Sequence, residues 1–238
     1  MSEWTFDELM PDGKTKDTWG SNHGTVHGAE WVDDCVFGKC YSFDGVDDYI
    51  EILNFPKKNE ELTLSIWVNQ FAIKNGARIL GNDIAEISLE DRRYRLRVYG
   101  SGGNTFYILS DVDNPELNTK KWIYIVATIN LNNDQVKGYV NGITRKTHAG
   151  IRTDLFSSGT VVQRIGKYSS GANFNGLIDD VRIYDLALSS AQIKQNYIAG
   201  LDSMLRNGTL SKTEYNERLE ALASKVFSNP INGMKRKL

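Results

Sequence analysis

Charge of one sign is what this sequence most clearly lacks. Thirty acidic residues stand against 28 basic ones in 238 positions, so no strong field exists to gather nucleic acid or an anionic membrane surface. Long apolar runs are missing too: the first thirty residues are polar, and no stretch reads as a transmembrane span or a signal peptide. Three histidines and two cysteines are too few for a sulfur-rich zinc site, and Cys35-x4-Cys40 has no second pair to complete one. His23 and His27 lie four apart, a zinc-like spacing only on a helix, and their surroundings are glycine-rich loop. No nucleophile elbow accompanies any of the three histidines. With a glycine-containing turn between them, Cys35 and Cys40 come within disulfide reach if their flanks form a hairpin. The alternative is two unrelated thiols. A bridge would place the protein in an oxidising compartment, secreted or on a cell surface.

What the chain does have is alternation. Residues 62–69 put Leu62, Leu64, Ile66 and Val68 on one face. In residues 94–99, Tyr94, Leu96 and Val98 oppose Arg95, Arg97 and Tyr99. Residues 122–129 are apolar on both faces, as a strand covered on both sides would be. Residues 135–140 run into Asn141-Gly142, two residues that tolerate positive φ and mark a hairpin. With residues 161–165 and 177–184, these are many short strands without long helices between them, which means a sandwich or barrel. Near Leu188 the period changes to helical. Ser189 caps a helix over residues 191–198, ended by Gly200; a second stretch, residues 201–206, stops at Asn207-Gly208. A third starts at a Ser211-x-x-Glu214 capping box and carries Tyr215, Leu219, Leu222 and Val226 at helical spacing. Such helices cannot bury their stripe alone; they dock on the sandwich, on a second copy or on a partner. The basic tail, Lys235 to Lys237, reads as solvated.

Three segments in order resemble one known family. Trp4 to Glu8 is followed by Asp12-Gly13 and by an Asp17-to-Gly24 loop; then comes SFDGVDDYI over residues 42–50; last comes GLIDDVRIYDLALS over residues 176–189. Together they look like the laminin-G-like, concanavalin-A-like lectin superfamily, in its prokaryotic surface-protein branch. The resemblance covers about residues 4–199 and implies an all-β, two-sheet antiparallel jelly-roll sandwich. The expected division is therefore a sandwich over residues 1–199 and a C-terminal helical hairpin with basic tail over 200–238. The tail itself resembles a short helical-hairpin motif that implies self-association or a protein partner through residues 201–226.

The resemblance brings Asp7, Asp44 and Asp179 to chain ends that lie side by side, and it implies a structural calcium ion held by them. Calcium takes six to eight hard oxygens, and Asp179, on the face of Leu177, Val181 and Ile183, points inward and needs a cation or several donors. The competing reading has Asp44 and Asp179 simply accepting backbone N–H groups in tight turns. Asp47, Asp48 and Asp180 are expected at exposed turns or rims. Glycan binding needs aromatic faces beside hydrogen-bonding groups. Its candidates are Arg95, Arg97 and Tyr99 on the outward strand face, and Trp19, Asn82, Asn104, Tyr107, Tyr168 and Asn173 in loops; each is also what a solvated face or a loop anchor looks like. Relatives that cleave glucans carry Glu-x-Asp-x-Glu on one strand. Here Asp83, Glu86 and Glu90, three and four apart, would scatter across a strand or share one face of a helix, so no catalysis is expected. The resulting expectation is a calcium-stabilised module that binds a glycan or cell-surface polysaccharide, with a surface-appendage subunit as the alternative.

Overall fold

The computed structural model describes residues 1–33, 35–56, 60–82, 85–90, 92–98, 105–109, 120–150, 160–167 and 172–227. Its strands in chain order are β1 (Ser2–Trp4), β2 (Thr25–His27), β3 (Glu30–Val32), β4 (Cys40–Asp44), β5 (Tyr49–Pro56), β6 (Glu61–Gln70), β7 (Ala77–Gly81) and β8 (Ala85–Glu90). They continue as β9 (Arg93–Val98), β10 (Thr105–Ile108), β11 (Trp122–Asn130), β12 (Gln135–Val140), β13 (Ile143–His148), β14 (Thr160–Ile165) and β15 (Asn175–Tyr184). Two helices close the described chain, α1 (Ser190–Asn207) and α2 (Lys212–Phe227).

The strands form two sheets. One runs β13-β12-β11-β6-β15-β4-β3, with β1 also paired to β15; the other runs β10-β9-β8-β7-β14-β5-β2. This is the antiparallel sandwich expected, and its first and last strands meet, Glu3 opposite Arg182. Leu64, Ile66 and Val68 of β6 and Ile123, Ile125 and Ala127 of β11 point between the sheets. Asn141 (φ 53°) and Gly142 (φ 72°) turn β12 into β13, both in the left-handed region that the Asn-Gly pair tolerates.

The other face of β6 and β11 explains why residues 122–129 are apolar twice over. Trp67, Trp122, Tyr124 and Val126 belong to a second core with Ile193, Tyr197, Leu201, Met204 and Leu222 from the helices. The Trp67 ring stacks on Tyr124 (centroids 5.0 Å apart) and on Tyr197 (5.6 Å). Both helices therefore dock on the sandwich, and the apolar stripe is covered by the chain's own sheet. Arg218 of α2 donates to the Trp122 carbonyl (2.8 Å), and Glu214 pairs with Lys121 (3.0 Å) and Arg218 (2.8 Å).

Gly200 does not end a helix. It lies inside α1 because its Cα rests on the Trp67 indole, where a Cβ would come within 2.3 Å of Cζ2. The helix runs on to a left-handed cap at Gly208 (φ 83°). The full capping box is also at α1, between Ser189 and Gln192. At α2 Ser211 accepts from the Glu214 N–H (3.2 Å), while the Glu214 carboxylate serves the ion pairs instead.

Replacing Gly200 by Ala sets a helix-propensity gain of ~1 kcal/mol against an overpacking cost of ~1–3 kcal/mol. The indole is buried and packed in a ring cluster with Tyr124 and Tyr197, so the cost should win. Gly200→Ala is expected to lower the melting temperature, by about 2–4 °C per kcal/mol lost; a melt equal to or above that of the parent would contradict the packing described.

Candidate functional site

Strand β15 changes register against β6 between Asp179 and Arg182, and Asp180 sits in the left-handed region (φ 48°). That bulge puts one extra residue in the strand. Ile178, Val181 and Ile183 stay between the sheets, while Asp179 is buried on the other side, next to the loop closed by the Cys35–Cys40 disulfide. Asp179 is thus inward in the sense of buried, but it does not share the face of Val181 and Ile183. Asp180 is buried as well, not at a rim, as is Asp48.

Asp179 Oδ2 accepts from the Phe37 N–H (2.9 Å), and Oδ1 has no hydrogen-bond partner. Burial pushes the Asp179 carboxyl well above the usual range, and the neighbouring Asp180 charge adds to this. Asp180 Oδ1 is ion-paired with Arg182 Nη2 (2.9 Å). Burial lifts Asp180 to about 7 even though the Arg182 charge pulls it down. Asp7 belongs to the same neighbourhood: its charge raises both carboxyls, and its Oδ1 accepts from the Lys39 N–H (2.9 Å) two residues beyond Phe37.

Asp44 does not join them. It stands opposite Asn175, four residues along β15 from Asp179 and so about 13 Å away at ~3.3 Å per residue. There its Oδ1 accepts from the Val46 N–H (2.7 Å) and the Asp47 N–H (3.4 Å), and the Val46 bond leads in lowering its carboxyl. Asp44, Asp47 and Asp48 offer oxygens within 4.8 Å of one another, yet the Asp48 Oδ2 already accepts from the Asp44 N–H (2.8 Å). A hard cation needs acceptors that nothing else satisfies. Asp179 Oδ1 is the oxygen here that fits that need, since Asp180 Oδ1 is paired with Arg182 and Asp7 Oδ1 with the Lys39 N–H. These three carboxylates do not bring their oxygens within 4.8 Å of one another, and the Asp44 turn is the backbone-capping case.

From Asp180 a chain of charges leads to the surface. The Arg182 guanidinium donates through Nε to Glu3 Oε1 (2.8 Å), and Glu3 Oε2 accepts from the Thr18 hydroxyl (2.5 Å). Asp17, buried, collects four backbone N–H groups: Glu3 (3.0 Å), Trp19 (3.2 Å), Gly20 (3.1 Å) and Asn22 (3.1 Å). A carboxylate with that many donors makes a rigid turn. The turn presents Trp19, 43 % exposed, with its ring edge-on to Tyr184 (5.2 Å) and over the Arg182 guanidinium (5.8 Å). Neither Asp17 nor Arg182 stood out as a ligand support in the sequence. The Asp17-Thr-Trp-Gly20 string was the available signal.

On the second sheet Arg95 and Arg97 do face outward, but into an ion-pair lattice. Arg95 Nη1 lies 2.8 Å from Glu90 Oε2, and Arg97 Nε lies 3.5 Å from Glu86 Oε1. Glu86 and Glu90 are four apart on β8 and share that face, against the scatter expected; residues two and four apart in a strand point the same way. Arg78 Nη1 lies between them, 2.9 Å from Glu86 Oε1 and 3.0 Å from Glu90 Oε1. Both carboxylates are thus committed to ion pairs with the one guanidinium. Tyr107 is no loop residue: it lies in β10 opposite Leu96 and belongs to the core between the sheets. Asn82 and Asn173 are buried structural amides, donating to Gln163 Oε1 (2.8 Å) and to the Val46 carbonyl respectively. Asp83, Tyr99, Asn104 and Tyr168 lie outside the described residues. No described helix is long and apolar enough to cross a membrane.

The architecture, closed by β15 beside β1, defines a two-sheet lectin-type sandwich. The chain belongs to the concanavalin A-like lectin/glucanases superfamily, whose family model matches residues 44–194. Comparison with curated protein sequences yields no match. Among solved structures it is similar to domain 4 of an extracellular arabinanase from Geobacillus stearothermophilus in complex with arabinotriose. There the TM-score is 0.64 at 20 % identity, covering 82 % of this chain and 96 % of that one. It is also similar to the binding domain of a Paraclostridial mosquitocidal protein (TM-score 0.63, 18 % identity, 84 % of this chain and 52 % of that one). A third is the ligand-binding domain of botulinum neurotoxin serotype D in complex with N-acetylneuraminic acid (0.64, 16 %, 84 % and 51 %). The chain spans about half the length of these two toxin domains, and at such identities the likeness is one of fold.

The buried carboxylates make stability depend on pH. Asp180 has a folded value of about 7 against 3.8 for an unperturbed aspartate. Its contribution is fully present below the unfolded value and is lost as pH rises through 7. In metal-free buffer the melting temperature should therefore fall between pH 5 and pH 7.5, and Asp180→Asn should flatten the slope. A parent protein whose melt is level across that window would show that the group is not buried as described.

Proposed function

We propose that this protein is a non-catalytic carbohydrate-binding module of a secreted or cell-surface protein, stabilised by calcium at the orphaned Asp179 oxygen. The observation that carries the reading is Trp19: a large aromatic half in water, yet held by the Asp17 turn and backed by Arg182 and Tyr184. An exposed indole on a rigid support costs no ordering entropy when a sugar ring stacks on it. The arabinotriose complex of the arabinanase domain and the N-acetylneuraminic acid complex of the toxin domain support the same class of ligand. The disulfide supports an oxidising location. The guanidinium shared by Glu86 and Glu90 supports the absence of hydrolysis. An assembly role through the helices is less supported, because their apolar residues pack on the chain's own sheet.

A glycan array probed with the parent protein and with Trp19→Ala tests the binding. The parent should bind at least one glycan, and the variant should bind it at least ~10-fold more weakly, about 1.4 kcal/mol, with an unchanged melt. An array on which the parent is blank would end the carbohydrate reading.

Calcium is tested separately by thermal melts in excess metal and in chelator. Metal at ~100 times its dissociation constant should add ~2.7 kcal/mol. Asp179→Asn should abolish that gain and Asp44→Asn should leave it intact. Superimposed melts of the parent in the two buffers would remove calcium from the account.

A further inference from the structure

The outer face of β11 and β12 is not wholly covered by α1. Where the helix begins, a cleft of about 260 Å³ remains between the sheet and residues 187–190. Thr128, Asn133, Gln135, Lys137, Tyr139 and Ser190 contribute to its lining. Its polarity follows from sheet register: Thr128 pairs with Lys137 and Asn130 with Gln135, so the polar sides of two neighbouring strands make one floor. The Tyr139 and Ser190 hydroxyls lie 3.2 Å apart at its inner end. Glu61 is already engaged beside it, taking the Asn130 amide (2.7 Å) and the Ala187 N–H (3.1 Å). Among the described residues the side chains of Asn133, Gln135 and Lys137 meet no partner, and Lys137 is the one charged group in the lining.

We propose that this cleft is a second carbohydrate subsite, one that takes a sugar unit carrying a carboxylate; the inference rests on the carbohydrate-binding reading. Drug-sized ligands fill roughly 300–1,000 Å³, so the space suits one ring rather than a chain. The unengaged amides of Asn133 and Gln135 match a ring's hydroxyl groups, which both donate and accept. The free ammonium of Lys137 selects for a carboxylate, through a charge-assisted bond that a neutral ring cannot form. The cleft is distinct from the Trp19 platform. Tyr184, Thr63, Thr128 and Lys137 form one row across β15, β6, β11 and β12, which at ~4.8 Å per strand puts Lys137 about 14 Å from Tyr184.

The test is calorimetric titration with trisaccharides ending in galacturonate, glucuronate or N-acetylneuraminate, each beside its carboxyl-reduced neutral counterpart. At least one acidic member should bind tighter than its reduced form. Lys137→Gln should weaken that member ~10-fold or more while leaving the reduced form and the melting temperature unchanged. Trp19→Ala should weaken both forms. A panel with no preference for any acidic member overturns the inference, as does a Lys137→Gln variant that binds the acidic member as the parent does. If Trp19→Ala weakens binding in either of those cases, the carbohydrate reading stands and only the cleft falls. A parent that binds no glycan overturns both.

Discussion

The bulge at Asp179–Asp180 is the constraint on which the other parts of this molecule depend. One extra residue in β15 turns two adjacent carboxylates away from the inter-sheet core without exposing either. Buried carboxylates need compensation, and what surrounds them supplies it in part. The disulfide loop gives the Phe37 N–H to Asp179, and Arg182 stands beside Asp180. Arg182 in turn ties β15 to Glu3 of β1, and Glu3 ties β1 to Thr18 in the turn that carries Trp19. The first strand, the last strand, the disulfide loop and the exposed aromatic are therefore linked through one charged patch. Asp179 Oδ1 in it remains without a hydrogen-bond partner, which is the physical ground for the proposed cation.

A second constraint is that the β6–β11 sheet has a core on each face. Trp67 is its centre on the helical side, in a mutually stacked cluster with Tyr124 and Tyr197 and abutted by Gly200. The last residue of α1 also reaches the disulfide loop, since Asn207 Nδ2 donates to the Cys35 carbonyl (3.0 Å). The helices thus cover the sheet and brace the loop that holds Asp179. They stop short of the polar ends of β11 and β12, which leaves the cleft at Lys137 open. Coverage and opening on one face have the same origin: the residues from Ala187 to Ser190 must cross Thr63, whose hydroxyl bonds the Leu186 carbonyl and the Leu188 N–H, before α1 can start.

Much of the fold was legible because strand alternation and turn chemistry are local. Leu62 to Val68, the doubly apolar 122–129 stretch and Asn141-Gly142 all lie where the pattern puts them. Ser189 capped its helix as read. The site was less legible, because its key feature is an irregularity. Alternation counted from Leu177 places Asp179 with Val181, and only a bulge, invisible to periodicity, separates them. The Asp179-Asp180 doublet inside an apolar strand was the one available hint. Gly200 looked like a helix terminator because a sequence does not show the indole against it. Glu86 and Glu90 were misplaced by counting from Asp83 rather than from each other, and Tyr107 by missing β10. Asp44 was grouped with Asp179 through a shared motif order, although four residues of β15 separate their positions.

In the proposed function the buried charges hold Trp19 in place as a ready-made sugar platform. The five tryptophans, Trp4, Trp19, Trp31, Trp67 and Trp122, give separate indole N–H signals in a nitrogen–proton correlation spectrum. Titrating a glycan that binds should shift the Trp19 signal first and furthest, while those of buried Trp4 and Trp67 stay put. A saturating glycan that leaves the Trp19 indole unmoved would contradict the account.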